Sequence, residues 1–115
     1  MGNNRIQAKG ASDIVAQVHQ AATKRILFVT HAIRQMARAD RMISPAEVRL
    51  VVTKGILIED YPEDVRGHSC LLLGYGDGGR VLHVVCCPKA DYLAVITAYV
   101  PDARQWSKNF TRRCK

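Results

Sequence analysis

The sequence predicts an α+β fold in which two or three amino-terminal helices pack on one face of a four-stranded antiparallel β-sheet meander. Apolar residues recur every three or four positions in the first half of the chain, whereas the second half carries β-rich apolar runs separated by short turns. The chain has 115 residues, of which 48% are hydrophobic. We therefore predict a disordered tail over residues 1–10 and a single α+β domain over residues 11–115.

The first two helices are predicted from apolar spacing and capping residues. The first begins at Ser12 and runs for about a dozen residues. Its apolar stripe consists of Ile14, Val15, Val18, Ala21 and Ala22. The run Arg25–Val29 is too short and too β-rich for a helix, so it predicts either a brief strand or an extended lead-in. Thr30 is a suitable N-cap, and the second helix is predicted from there to about Asp40.

The third helix has the sharpest local signal. Ser44 at the N-cap, Pro45 at the first helical position and Glu47 two residues later form a capping box. The predicted buried face consists of Val48, Val51 and Val52. Gly55 is predicted to end the helix in a left-handed conformation.

Four strands are predicted after this helix. They are Ile56–Tyr61, Ser69–Tyr75, Val81–Cys87 and Leu93–Val100. Gly74, Gly76 and Gly79 match the string G-x-G-x-x-G, but they lead into a strand and not into the helix that a dinucleotide site requires. They therefore predict a hairpin turn. After Pro101 and Asp102, a short helix or turn precedes the basic end.

The charge is segregated along the chain. Residues 1–54 hold nine Lys/Arg and three acids, residues 55–100 hold three and six, and residues 101–115 hold five and one, which sums to the net charge of +7. A small basic domain with this distribution predicts an anionic partner, most commonly nucleic acid. No apolar run is long enough to cross a bilayer and no secretory signal is present in the sequence, so we predict a cytoplasmic protein.

The spacing of the cysteines and of possible metal ligands predicts neither disulfides nor a metal site. No C-x-x-C pair occurs among the four cysteines, which are Cys70, Cys86, Cys87 and Cys114. The first three are interpreted as small core residues. No zinc-type ligand spacing occurs around His83. We predict no metal site and no cofactor.

Two groups of polar residues are candidate site residues. His31, Arg34 and Arg38 lie three and four positions apart on the second predicted helix and so share one face that could grip a phosphate. The alternative is a solvated helix face.

On the predicted strands, His83 lies among apolar neighbours, where a hydrogen-bonded core histidine is the alternative to a catalyst. Thr97 and Tyr99 are predicted to share a strand face with Leu93 and Val95. Their hydroxyls are either site groups or the polar end of a packed face.

The order of several short motifs resembles domain-of-unknown-function family 4258 over about residues 26–113. The motifs are Thr30-His31-Ala32, Met36, Ile43-Ser44, Val48, Gly55 to Asp64, Ser69 to Gly74, Leu82 to Val85, Ile96 to Asp102, Trp106 and Arg112. Two departures are that Gln35 replaces an arginine common in members and that residues 37–42 are about two longer. Arg34 or Arg38 is the candidate replacement. The resemblance implies a small bacterial or archaeal stand-alone domain without an agreed activity. A weaker likeness of plan and size connects it to RelE-like ribonuclease toxins.

These observations predict an RNA-interacting protein and, if it is an enzyme, a metal-independent, toxin-like ribonuclease. In that mechanism His31 and His83 are the candidate general base and acid, and Tyr99 orients the phosphate or stacks on a base. The predicted substrate-binding residues are Arg34, Arg38, Arg41 and Thr97. The mechanism requires both imidazoles in one cleft. The alternative is a non-catalytic protein-interaction module with a cognate protein partner, and the sequence leaves the oligomeric state open.

Overall fold

The computed structural model describes residues 2–114 of the chain, with side chains for residues 13–114. Its centre is a five-stranded sheet with the spatial order β1-β5-β4-β3-β2. The strands are β1 (Ile26–Phe28), β2 (Ile56–Tyr61), β3 (Ser69–Tyr75), β4 (Val81–Pro88) and β5 (Leu93–Tyr99). The bounds of β2 and β3 match the prediction, and those of β4 and β5 each differ from it by one residue.

Strand β1 corrects the predicted four-stranded meander. It pairs in parallel with β5, whereas all other neighbouring strands are antiparallel. The Leu93 amide donates to the Arg25 carbonyl at 2.7 Å, and the Val29 amide donates to the Val95 carbonyl at 3.1 Å. The strand alternative for Arg25–Val29 is therefore the one that forms, because this segment runs along the free edge of β5.

Three helices pack on one face of the sheet, which confirms the α+β class. They are α1 (Gly2–Lys24), α2 (Thr30–Met36) and α3 (Pro45–Lys54). Their apolar residues form one buried cluster with Leu72 on β3, Leu82 and Val84 on β4, and Val95 on β5. The division into a tail over residues 1–10 and a domain over residues 11–115 stays a prediction, because the side chains of residues 1–12 lie outside those described.

Helix α2 is shorter than predicted. It ends at Met36 and not at Asp40, and its N-cap is Val29 and not Thr30. The chain reverses after the helix because Ile43 must enter the core, and the Ile43 amide donates to the Met36 carbonyl at 2.9 Å. Residues 37–44 thus form a connection that we call the α2–α3 loop.

Helix α3 begins as predicted. The Glu47 amide donates to the Ser44 hydroxyl at 3.1 Å, and the Ser44 amide donates to the Glu47 carboxylate at 3.0 Å. The prediction for Gly55 is wrong, since its φ of −73° and ψ of 169° are extended. Glycine fits here because a Cβ would lie 2.5 Å from the Val51 carbonyl oxygen and 2.7 Å from that of Leu73.

A β-bulge changes the faces predicted for β5. The register between β4 and β5 shifts after Val85, so that Val85 faces Thr97 while Cys86 faces Val95. One residue of β5 is unpaired, and the alternation of side chains inverts across it. Leu93 and Val95 consequently pack under the helices, whereas Tyr99 lies on the opposite face, which we call the second face. The prediction that one face carries all four of these β5 residues, Leu93, Val95, Thr97 and Tyr99, is therefore wrong.

Residues 101–114, the C-terminal segment, form turns that cover part of the second face. An isolated bridge joins Trp106 to Arg113, and the Cys114 amide donates to the Gln105 carbonyl at 2.8 Å. Trp106 is buried. The segment contains no helix, so the turn alternative is the one that forms.

Candidate functional site

Helix α2 buries one side against the sheet and leaves the other side, which includes His31, Ile33 and Arg34, exposed to solvent. Ala32 and Met36 are buried against the sheet, whereas His31 and Arg34 are exposed. No carboxylate of the described residues lies within ion-pair distance of Arg34. This guanidinium is therefore available to a ligand.

The α2–α3 loop places two further arginines next to the helix. Because α2 ends at Met36, Arg38 does not continue the helical row predicted with His31 and Arg34. Arg38 and Arg41 instead flank Asp40, with nitrogen-to-oxygen distances of 3.4 Å and 3.8 Å. Arg38 and Asp40 are largely exposed, so solvent weakens their ion pair.

Arg80 holds this loop in place. It lies after the β3–β4 turn and donates from its guanidinium to the backbone carbonyls of Arg41 and Met42, the latter at 3.0 Å. The same guanidinium contacts the Glu47 carboxylate from Nε at 3.1 Å and from Nη2 at 2.9 Å. The loop carrying Arg41 is thereby attached to both α3 and the β3–β4 turn.

The carboxylate of Glu47 is the buried centre of this arrangement. It is 1% exposed and also accepts the amides of Ser44 at 3.0 Å and Asp77 at 2.7 Å. The hydrogen bonds from Arg80, opposed by burial and helped by those two amides, lower the pKa of Glu47 to about 2. It is therefore charged at neutral pH.

A surface cavity of about 420 Å³ lies beside the loop. It is lined by Asp40, Arg41, Arg80, Val100, Asp102 and Arg104. Arg104 pairs with Asp102 at 3.0 Å, and its hydrogen bond keeps the pKa of that carboxyl below the usual range. We use the name α2-loop surface for His31, Arg34, Arg38, Arg41 and Arg104. This surface carries four guanidinium groups and only two neighbouring carboxylates, those of Asp40 and Asp102, so its net charge is positive.

His83 lies on the second face and is completely buried. Its Nε2 donates to the Phe110 carbonyl at 2.9 Å, and its Nδ1 lies 3.3 Å from the Tyr99 hydroxyl, which then donates to it. The Trp106 ring meets the imidazole edge-on, with centroids 4.5 Å apart. Burial lowers the pKa of His83, although the bond to Phe110 acts in the opposite direction. His83 is therefore a neutral core residue.

The C-terminal segment is fastened over His83 by an ion pair. Arg113 donates to the Glu59 carboxylate from Nε at 3.0 Å and from Nη2 at 3.1 Å, and its guanidinium lies 4.7 Å from the centre of the Trp106 ring. Burial tends to raise the pKa of Glu59, but hydrogen bonds from Arg113 and Tyr61 bring it below its usual value. The second face is thus closed here by matched charges and an aromatic contact.

The predicted acid–base pair does not assemble. His31 is exposed on α2, on the helical side of the sheet, whereas His83 is sealed beneath residues 101–114 on the other side. Tyr99 is bonded to that buried imidazole, and Thr97 faces Val85 in the β4–β5 pairing. A buried His83 cannot share an open cleft with His31 as its general acid, and Tyr99 and Thr97 lie with His83 on the second face.

Two members of the observed arrangement were missing from the predicted site. Arg80 anchors the loop, and Arg104 completes the cavity. The sequence contained a partial signal for Arg104, since it belongs to the basic end. Arg80 has no local sequence signal, because its hydrogen-bond partners Glu47 and Met42 lie more than 30 residues away along the chain.

The described residues contain no group of three or more His, Cys, Asp or Glu side chains placed to hold a metal ion. Cys70, Cys86 and Cys87 are buried as free thiols and Cys114 is exposed, which agrees with the interpretation of the first three as core residues. Among the described helices, none has both the length and the apolar character needed to span a membrane.

Comparison with known proteins identifies the family. The sequence profile of a domain of unknown function, DUF4258, matches residues 28–100, which is more than half of the chain. The chain belongs to the DUF4258 family. The resemblance inferred from the ordered motifs is confirmed to that extent. The DUF4258 match includes α2, its loop and all strands except most of β1, whereas the C-terminal segment that covers His83 lies outside it. No curated protein and no solved structure matches the chain.

Proposed function

We propose that this DUF4258 protein binds RNA through the phosphate backbone, with the α2-loop surface as its contact. The observation that carries the proposal is the anchoring of the α2–α3 loop by Arg80, which presents Arg41 beside Arg38 and Arg104. Guanidiniums bind phosphate oxygens through paired hydrogen bonds, so arginines on a fixed backbone suit a polyphosphate ligand.

The carboxylates on this surface are compatible with such a ligand. Asp40 and Asp102 pair with arginines that are substantially exposed, and ion pairs of that kind contribute only about 0–1 kcal/mol. A phosphate can therefore replace either carboxylate at small cost. The overall charge of +7 adds long-range attraction for a polyanion.

The proposed function is RNA binding, and we do not assign RNA cleavage to the α2-loop surface. The predicted mechanism needs a general acid near His31, and the buried position of His83 leaves that role unfilled. A toxin-like ribonuclease and a cytoplasmic location both stay predictions.

Substitution of Arg34 or Arg38 by glutamine is expected to weaken RNA binding about five- to tenfold, since each removes one charge-assisted hydrogen-bonding group for phosphate. The measurement is fluorescence anisotropy of a labelled single-stranded RNA titrated with protein at several salt concentrations. For single strands the logarithmic salt slope is expected to fall by about 0.7 for each phosphate that the variant no longer neutralises.

Arg49→Gln is the matched control, because Arg49 is an exposed arginine on α3, outside the α2-loop surface. It should leave affinity nearly unchanged. Equal reductions in all three variants would mean that only net charge matters and that no defined surface exists. Absence of binding by the wild-type protein at low salt would refute the proposed function, and a DNA strand of the same sequence tests the preference for RNA.

A further inference from the structure

A second surface lies at the β2 edge of the sheet, opposite the β1 edge and next to the end of α3. Here a cavity of about 410 Å³ is lined by Leu50, Lys54, Gly55, Ile56, Leu73, Gly74 and Tyr75. Three of these side chains are large, apolar or aromatic, and open to solvent: Leu50 is 44% exposed, Ile56 56% and Tyr75 61%. We call this the β2-edge groove. Its volume lies within the roughly 300–1,000 Å³ of typical ligand sites.

The groove arises from the way the strands are staggered. β2 begins at Ile56, opposite Leu73, so the last two residues of β3, Gly74 and Tyr75, pair with β4 alone. β2 is itself the last strand, and no described strand pairs with its outer edge. Unpaired backbone beside exposed apolar side chains is the arrangement to which an extended peptide adds as a further strand.

The floor of the groove is closely packed. Helix α3 approaches β3 so closely that a Cβ on Gly74 would lie 3.0 Å from a methyl group of Val51. Gly55 is equally confined, because a Cβ there would lie 2.5 Å from the Val51 carbonyl oxygen. A preformed groove lowers the ordering cost of binding.

The second half of β2 is protected in a way that the first half is not. A bulge lies between Leu57 and Glu59, the Glu59 carboxylate is bound by Arg113, and Asp60 contacts His68 at 2.6 Å. Bulges and charged residues are the usual means of preventing strand addition at an edge. An added segment is therefore confined to the start of β2.

The charge at the groove indicates which partner fits. Lys54 lines it, and no carboxylate of the described residues lies within ion-pair distance of this ammonium group. A second copy of the chain would bring another net charge of +7 and another Lys54 to the contact, which opposes association. An acidic partner encounters neither obstacle.

We propose that the β2-edge groove binds an extended, acidic segment of a partner protein. An apolar side chain of that segment fills the space between Leu50, Ile56 and Tyr75, while an adjacent carboxylate pairs with Lys54. This surface and the α2-loop surface share no residue, so the protein holds a polyanion and a protein partner at separate places.

The test uses a phage-displayed library of random twelve-residue peptides selected against the full-length protein. Selected peptides are expected to combine large apolar residues with Asp or Glu. As synthetic peptides they should bind at least tenfold more weakly to Tyr75→Ser and to Lys54→Glu. Replacing their acids by lysine should restore binding to Lys54→Glu and abolish it for the wild type. All these substitutions are at exposed positions, and circular dichroism confirms that the variants fold.

Val65→Ser and Lys108→Glu are the matched controls, since both side chains are exposed and lie outside the groove. They should not alter peptide binding. The proposal is overturned if no peptides are selected, if the selected peptides lack acidic residues, or if the groove variants bind them normally. It is also overturned if sedimentation shows a dimer that Tyr75→Ser dissociates, because a second copy then covers the groove. A loss of RNA binding in Tyr75→Ser would assign the groove to RNA instead.

Discussion

Replacing Glu47 by glutamine is expected to lower the free energy of unfolding by about 3 kcal/mol, because the buried carboxylate is lost from its ion pair with the partly exposed Arg80. The Glu47 carboxylate accepts hydrogen bonds from two backbone amides and from the Arg80 guanidinium. An amide has only one acceptor oxygen, and its NH₂ group would face another donor. Urea unfolding at neutral pH, followed by circular dichroism, measures the change.

The Glu47 carboxylate also leads us to expect that the free energy of unfolding falls in acid. The pKa of Glu47 is lowered from its ordinary value of 4.5 to about 2 in the folded protein. The unfolded chain therefore takes up a proton at a higher pH than the folded chain does. The stabilisation is complete above pH 4.5 and is lost as the pH falls towards 2, by about 3 kcal/mol in total. In Glu47→Gln this part of the pH dependence should be absent.

Two comparisons separate this ion pair from other effects. Glu63→Gln, at an exposed position, should change stability by less than about 0.5 kcal/mol. In the double variant Glu47→Gln, Arg80→Met, the loss of unfolding free energy should be smaller than the sum of the losses in the two single variants. Each single variant leaves one charged group without its partner, whereas the double variant removes both charges. Additive losses would contradict a direct coupling between the two side chains.

The sequence predicted local structure well where the signal is contained in a few neighbouring residues. The capping box at Ser44 and Glu47 located the start of α3, and the run of β-rich residues located β2 and β3 correctly. The second oxygen of Glu47 has no such local signal. It bonds to the Asp77 amide, 30 residues along the chain, and only the packing of α3 against the β3–β4 turn brings them together.

The candidate site was harder to predict because one extra residue in a strand reverses the faces to which the following side chains point. The bulge in β5 moves Tyr99 to the face opposite Leu93, and simple alternation from either end of the strand cannot reveal where the extra residue lies. The end of α2 shows the same limitation. Arg38 has a helix-favouring neighbourhood, yet the burial of Ile43 turns the chain back before Arg38 can join the helical row.

The position of His83 depended on a segment with little regular structure. Its strand neighbours are compatible with either a core residue or a site residue, and residues 101–114 decide between them by covering the imidazole. Turns of this kind have weak sequence signals. The outcome rests on Trp106 and on the bidentate contact of Arg113 with Glu59.

Replacing Trp106 by alanine is therefore expected to have the second large effect. The side chain is 4% exposed and packs edge-on against His83, so its removal should lower the free energy of unfolding by about 3–5 kcal/mol. Trp106→Phe keeps an aromatic ring over the imidazole and should be destabilised markedly less. Urea unfolding of both variants at pH 8 measures the difference.

A titration of His83 by NMR gives an independent measurement. In the wild type, burial holds the pKa of His83 below its ordinary value of 6.5. Water reaches the imidazole once Trp106 is gone, so the pKa should rise towards that value in Trp106→Ala. An unchanged titration of His83 together with a stability loss below about 0.5 kcal/mol would mean that the C-terminal segment does not seal the second face.

The direction of the pKa shift also determines how the wild-type protein responds to acid. The unfolded chain binds a proton at His83 below about pH 6.5, whereas the folded chain resists protonation until lower pH. Stability linked to His83 is therefore complete above pH 6.5 and declines as the pH falls towards the folded-state pKa. The loss of stability linked to His83 begins near pH 6.5, whereas the loss linked to Glu47 begins near pH 4.5. Opening the second face in Trp106→Ala should flatten the pH dependence that begins near pH 6.5. It should leave the pH dependence that begins near pH 4.5 unchanged, because no residue of the C-terminal segment makes a hydrogen bond to the Glu47 carboxylate.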